Sequence, residues 1–150
     1  MSKICDINDF LRLNKLAFYG ISKNEKKFGN SIFKLLNEKG YNLYPVHPEI
    51  EIFEGKKCYK SLIDIPGLVD GMVTVMQPAQ TEKIMPEALK KGIKYIWFQQ
   101  GSQSKNSEDF CKNNNINSIT KECLFMFLEP EKFPHGFHKW IVNLFGKYPK

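Results

Sequence analysis

No apolar run in this sequence approaches the ~20 residues that a membrane-spanning helix needs. The N-terminus, Met1-Ser2-Lys3-Ile4-Cys5-Asp6, lacks the apolar stretch of a secretory signal. A cytoplasmic location is the resulting expectation. Cysteine is sparse: Cys5, Cys58, Cys111 and Cys123 stand far apart, with no Cys-x-x-Cys pair. That spacing argues against a zinc site and for reduced thiols in a reducing compartment. Histidine is sparser still, at His47, His135 and His138. There is no Gly-x-Ser-x-Gly elbow. The glycine fingerprint of dinucleotide-binding turns and the Gly-Lys-Ser/Thr ending of a Walker A loop are also missing. No catalytic residue and no metal ligand set can be assigned on these grounds.

What remains is an ordinary globular composition. The 150 residues fit one domain, and 42% hydrophobic residues supply one core. The formal net charge is +6. A basic surface suits an anionic partner, such as a nucleic acid, a membrane or a phosphorylated ligand. The lysines are scattered rather than gathered in one arm, so charge alone does not choose among these.

Five short apolar runs read as strands buried on both faces: Leu16–Tyr19, Leu43–Val46, Gly71–Met76, Tyr95–Phe98 and the weaker Asn117–Thr120. Amphipathic stretches lie between them. Phe28–Lys39 presents Ile32, Phe33, Leu35 and Leu36 and stops at Gly40; Thr81–Lys91 presents Ile84, Met85, Ala88 and Leu89 and stops at Gly92. Ser107–Asn114 reads as a weaker helix. Asp6–Leu13 reads as a short helix before the first strand, capped by Asp6 or Asn8. Alternating strands and helices predict an α/β fold, an open parallel sheet of about five strands with helices on both faces. We expect one domain over residues 1–128. An extension follows over 129–150, with a short amphipathic helix at His138–Phe145.

Ligands of such sheets bind outside the carboxyl ends of the strands. Gly20, directly after the first strand, permits a tight turn and close ligand approach. The helix that follows opens near Phe28 or Gly29, where free N–H groups and the positive dipole end favour a phosphate. Ser22 offers a hydroxyl, and Lys26 or Lys27 offers charge. The second strand ends in Val46-His47-Pro48, without the carboxylate that NAD-binding domains place there. His47 with nearby lysines suits an extra phosphate instead, as on coenzyme A or NADP. Gln77 and Pro78 follow the third strand. Gln99, Gln100 and Gly101 follow the fourth and offer neutral donors and acceptors. Cys123, after the fifth strand, reads as a packed small residue rather than a reactive thiol.

Taken in order, LAFYGISKNEKKFGN (16–30), GYNLYPVHPEIEIFEGKKCYKSLIDIP (40–66), VDGMVTVMQPAQ (69–80) and GIKYIWFQQGSQS (92–104) resemble the small bacterial and archaeal CoA-binding proteins. These in turn are similar to the N-terminal domain of the succinate–CoA ligase alpha subunit and of ADP-forming acyl-CoA synthetases. The resemblance spans about residues 14–127 and implies a Rossmann-like fold and a coenzyme A or acyl-CoA ligand. It implies that Gly20, Ile21, Ser22, Lys27 and Asn30 hold the diphosphate. Val46, His47 and Pro48 would border the adenosine and its 3′-phosphate. Val75, Gln77 and Pro78 would line the floor, and Phe98, Gln99, Gln100 and Gly101 the pantetheine path. His47 stands where the family often has asparagine, and Gln100 where it often has proline. The phosphohistidine and ATP-grasp domains of the larger ligases do not fit in 150 residues, so acyl-CoA synthesis by this chain alone is not expected.

Two other readings compete. An NAD(P)-binding Rossmann domain of an oxidoreductase or nucleotide sensor shares the fold but needs the missing fingerprint. A nucleic-acid-binding protein would use the positive charge, but no Lys/Arg-rich helix or paired aromatic platform is present. We therefore expect a small-molecule partner, no nucleic acid and no membrane. A monomer and a homodimer are equally compatible.

Overall fold

The computed structural model describes residues 4–128. The expected extension 129–150, with its helix at His138–Phe145, lies outside the described residues. In chain order the elements are α1 (Ile4–Leu11), β1 (Lys15–Tyr19), α2 (Phe28–Glu38), β2 (Asn42–Val46), β3 (Ile52–Phe53) and β4 (Lys56–Lys57). A 3₁₀ turn at Leu62–Asp64 leads to β5 (Gly71–Thr74), α3 (Pro78–Lys91), β6 (Tyr95–Gln99), α4 (Lys105–Asn113), β7 (Asn117–Glu122) and α5 (Leu124–Leu128). Five strands form one parallel sheet in the order β2-β1-β5-β6-β7. The chain steps outward from β1 to β2, then returns to β1's other side as β5. That reversal makes the β1/β5 crevice the switch point of a doubly wound sheet.

Helices cover both faces, which is why the strands are apolar throughout rather than alternating. On one face, Leu16, Phe18, Val73, Trp97 and Ile119 of the sheet pack with residues of α1, α2 and α5. On the other, Ala17, Tyr19, Met72, Ile96 and Phe98 pack with residues of α3, α4 and the 3₁₀ turn. In α2, Ile32, Phe33, Leu35 and Leu36 are all buried, each worth about 1.5–3 kcal/mol relative to exposure. The helix ends where Gly40 takes φ +91°.

Several boundaries differ from the sequence reading. Asp6 lies in the first turn of α1 and Asn8 within it, so neither is the cap. Asp6 still favours the helix through the dipole. α3 begins at Pro78, not near Thr81, because proline's fixed φ and missing N–H suit the first helical position. α4 begins at Lys105, because Ser104 and Ser107 form a reciprocal capping box. The β3–β4 hairpin and α5 were not anticipated. Both are very short, and the hairpin is tied to the domain by Phe53 stacked edge-on against Phe33. Among the described residues no helix is long and apolar enough to cross a membrane.

Candidate functional site

The carboxyl end of the switch point is built around two glycines. Gly20 takes φ +132°, and a Cβ there would lie 2.7 Å from the Cβ and the carbonyl oxygen of Val75. The Val75 N–H meanwhile donates to the Tyr19 carbonyl at 2.8 Å, closing β5 onto β1. A Cβ on Gly29 would fall 2.0 Å from the Gly20 carbonyl oxygen. The first turn of α2 therefore rests directly on the backbone of the β1 turn. Lys27 precedes that turn in extended conformation, with no side-chain cap, and the first turn carries no acidic residue. The opening of α2 carries the positive end of the helix dipole, while the Lys27 N–H donates to the Asn24 carbonyl at 3.0 Å and the Asn30 N–H to the Lys27 carbonyl at 3.1 Å.

The loop between them is held by its own side chains. Asn30 is buried. Its Oδ1 accepts from the Ser22 N–H at 2.8 Å, and its Nδ2 donates to the Ser22 and Asn24 carbonyls at 2.9 and 3.3 Å. Ser22 Oγ accepts from the Asn24 N–H, and Asn24 Oδ1 accepts from the Lys26 N–H, both at 3.1 Å. This corrects the expectation for Asn30: its amide is fully engaged in shaping the loop and has nothing left for a diphosphate. Ile21 turns into the core. Ser22 uses its oxygen as an acceptor and keeps its hydroxyl hydrogen to donate. Lys23, Lys26 and Lys27 are exposed.

At the end of β2, Val46 is only 3% exposed and belongs to the core, so it has almost no surface to border an adenosine. His47 is half-buried, and its Nδ1 accepts from the N–H groups of Glu49 and Ile50 at 3.0 and 3.1 Å. Burial first, and Lys23 second, lower its pKa against the opposing pull of Glu49. His47 thus organises the loop through an Nδ1 that serves as an acceptor, an arrangement that favours the neutral ring over a cation for a phosphate. The lysine that reaches this loop is Lys23, paired with Glu49 at 3.0 Å on the surface. Pro48 is exposed beside them.

Beyond β5, Gln77 is the exposed residue before α3, again without a side-chain cap, and Pro78 opens the helix. A buried hydroxyl trio missed by the sequence reading locks the neighbouring loops. Ser102 Oγ lies 2.7 Å from Thr74 Oγ1 and 3.1 Å from Thr81 Oγ1. Phe98 and Gln99 are fully buried, which corrects their expected place along a ligand path. Phe98 packs beneath α3 and α4. Gln99 donates from Nε2 to Cys123 Sγ at 3.0 Å and accepts at Oε1 from the Leu124 N–H at 3.1 Å, at the start of α5. Burial raises the Cys123 pKa, as expected of a packed thiol. Gln100 donates from Nε2 to the Lys121 carbonyl at 3.3 Å. Gly101 is exposed, with φ +87°.

The structure thus brings Gly20, Ser22, Lys27, Val75, Gln77 and Pro78 to one edge and turns Ile21, Val46, Phe98, Gln99 and Gln100 inward, against the expectation that these line a ligand path. A signal for the loop scaffold was present in the spacing Ser22-x-Asn24-x-Lys26, which suits short side-chain-to-backbone turns. No local pattern announces the Thr74–Ser102–Thr81 trio, whose members come from three segments.

A doubly wound parallel sheet with two uncapped helix openings beside its switch point defines the Rossmann-like class of α/β domains. Within that class the chain belongs to the CoA-binding domain family, whose model matches residues 14–129. It is similar to the acetate–CoA ligase (ADP-forming) of Methanocaldococcus jannaschii, 37% identical over 117 residues. That match covers 73% of this chain but 17% of the ligase, so the chain spans under a fifth of the archaeal enzyme's length. It is also similar to the uncharacterized protein YneT of Bacillus subtilis, 25% identical over 79% of this chain and 89% of that protein. A solved structure, a conserved hypothetical protein from Pyrococcus furiosus, superposes with a TM-score of 0.72. It is 35% identical and covers 76% of this chain and 98% of its own.

Proposed function

We propose that this domain binds coenzyme A or a small acyl-CoA as a free-standing module and carries out no reaction of its own. In this reading the diphosphate lies over Gly20 and Ser22 against the opening turn of α2, with Lys27 adding charge. The adenosine runs along His47 and Pro48, over Val75, Gln77 and Pro78. The pantetheine leaves past Gly101. The observation that carries the reading is the contact of Gly29 with Gly20, where no Cβ fits. It holds an uncapped helix end against a turn that a phosphate-rich ligand can approach. Membership of the CoA-binding family favours CoA over other phosphorylated cofactors, and the β2 tip, without a carboxylate until Glu49, gives no support to NAD.

Thermal unfolding against CoA, acetyl-CoA, NADP and ATP tests this. A ligand at ~100-fold its Kd adds about 2.7 kcal/mol to the folded state. We expect that gain with CoA. Lys27→Ala should weaken CoA about tenfold by removing a charge-assisted contact. Stabilisation by NADP without stabilisation by CoA overturns the assignment. CoA binding indifferent to Lys27→Ala moves the diphosphate elsewhere.

A further inference from the structure

A cleft of about 320 Å³ opens at the amino end of the sheet, where the chain leads into β1 and β2 and away from the ligand edge. Its apolar walls are Leu11, Leu13, Tyr41 and Leu128, all half-buried, and Asn14 and Lys39 stand exposed at its rim. The four apolar residues pack on their inner side against the core that α1, α2 and α5 share with the sheet. The walls are also tied to each other. Tyr41 Oη donates to the Leu11 carbonyl at 2.6 Å, and the Asn42 N–H donates to the Asn14 carbonyl at 2.9 Å. The cleft is therefore open and held in shape before anything enters it.

Its position points to an occupant. Leu128 is the last residue of α5 and part of the cleft wall, so the chain departs from the cleft itself. Pro130 follows two residues on, and its missing N–H opposes a straight continuation of α5. Residues 129–150 then carry Phe137, Trp140, Ile141 and Leu144, spaced for one face of a helix. A tether as short as residues 129–139 spans over ~30 Å when extended, so reach is not limiting. It also keeps its end at an effective concentration on the order of millimolar, which a free partner rarely matches. Size narrows the choice further. A cavity of about 150 Å³ holds a benzene ring, so this cleft takes an indole with an aliphatic side chain beside it. The mixed lining suits tryptophan, whose apolar body carries a single N–H that needs an acceptor when buried.

We propose that the cleft is the docking site of this chain's own segment 129–150, with Trp140 as the anchor and Leu144 beside it. The docked segment straps the end of α1, the end of α2 and α5 together at the amino end of the sheet. The carboxyl edge stays open, so the strap and a ligand occupy opposite ends of the domain, and the proposal is independent of which ligand binds.

Iodide quenching of tryptophan fluorescence in the full chain tests this. Trp97 is fully buried, so indole emission open to solvent in the native protein belongs to Trp140. The wild type should be shielded, and Leu128→Lys should raise its quenching about threefold, because an ammonium cannot stay in the wall beside an apolar ring. Leu89→Lys, at an exposed leucine of α3, should change nothing. A Trp140 as open in the native wild type as in urea overturns the proposal, and so does shielding that ignores Leu128→Lys. Sedimentation across a dilution series separates the remaining occupant: shielding lost together with a dimer assigns the cleft to a second copy and overturns the intramolecular strap. Should Leu128→Lys unfold in circular-dichroism melts, nuclear Overhauser effects in the wild type decide. Cross-peaks from the Trp140 indole to the methyl groups of Leu11, Leu13 and Leu128 are expected, and their absence overturns the docking.

Discussion

Gly29 at the carboxyl end of the sheet is required because nothing larger fits, whereas Gly92 at the opposite end is required because of the sign of its φ. Gly29 would place a Cβ 2.0 Å from a carbonyl oxygen. Gly92 closes α3 at φ +84° with open space around it. The first requirement comes from a distant backbone segment and the second from the chain's own local geometry. The polar groups divide in the same way. At the carboxyl end, Asn30, Thr74, Thr81, Gln99 and Ser102 are buried and bonded across segments. At the amino end, Asp70 Oδ2 simply accepts the Asn14 and Lys15 N–H groups at 3.2 and 2.9 Å, pinning β5 to β1. An open cleft of about 320 Å³ beside Leu11, Tyr41 and Leu128 marks this end. The carboxyl end is stiffened to hold a shape, and the amino end only joins elements.

The sharpest way to break this comparison is Gly29→Ala. Forcing a methyl group against the Gly20 carbonyl should destabilise the domain by about 3 kcal/mol and reduce CoA affinity more than tenfold. Gly92→Ala should cost only about 1 kcal/mol and leave CoA affinity unchanged. Urea melts and calorimetry on the pair read both quantities, and equal effects would erase the distinction. Next in size, Asn30→Ala removes three loop hydrogen bonds and should cost about 2 kcal/mol. Amide exchange should then accelerate at Ser22, while the Asp70 clamp at the far end stays protected.

The smallest effect concerns pH. The folded loop prefers neutral His47, so its pKa lies below the ordinary 6.5. As the pH falls past that ordinary value, the unfolded chain takes up the proton first. Stability is therefore complete above the unfolded pKa and declines as the pH drops toward the folded one. Urea midpoints between pH 7.5 and 5 should fall more for the wild type than for His47→Gln. Identical slopes would remove His47 from the set of loop organisers.

The five strands, the helices α2 and α3 with their glycine stops, and the covered faces of the sheet were all legible in the sequence. Each depends on periodicity or on a glycine's local conformation, which neighbouring residues determine. The turn after Tyr19 was legible for the same reason. What was not legible was the destination of polar side chains at the strand ends. Gln99 and Gln100 are adjacent and chemically identical. Yet one is spent on Cys123 and α5, while the other leaves an acceptor unpaired. Val46 and His47 divide similarly between core and loop.

By itself the sequence determined an alternating strand–helix chain, its strand sites, and a glycine turn before a lysine-bearing helix opening, because hydrophobic burial and backbone conformation act over a few residues. Only the tertiary structure decided which polar groups remain for a ligand. At a strand end, a side chain's partners come from neighbouring strands and from loops 20 to 30 residues away, and these meet only when the sheet is assembled.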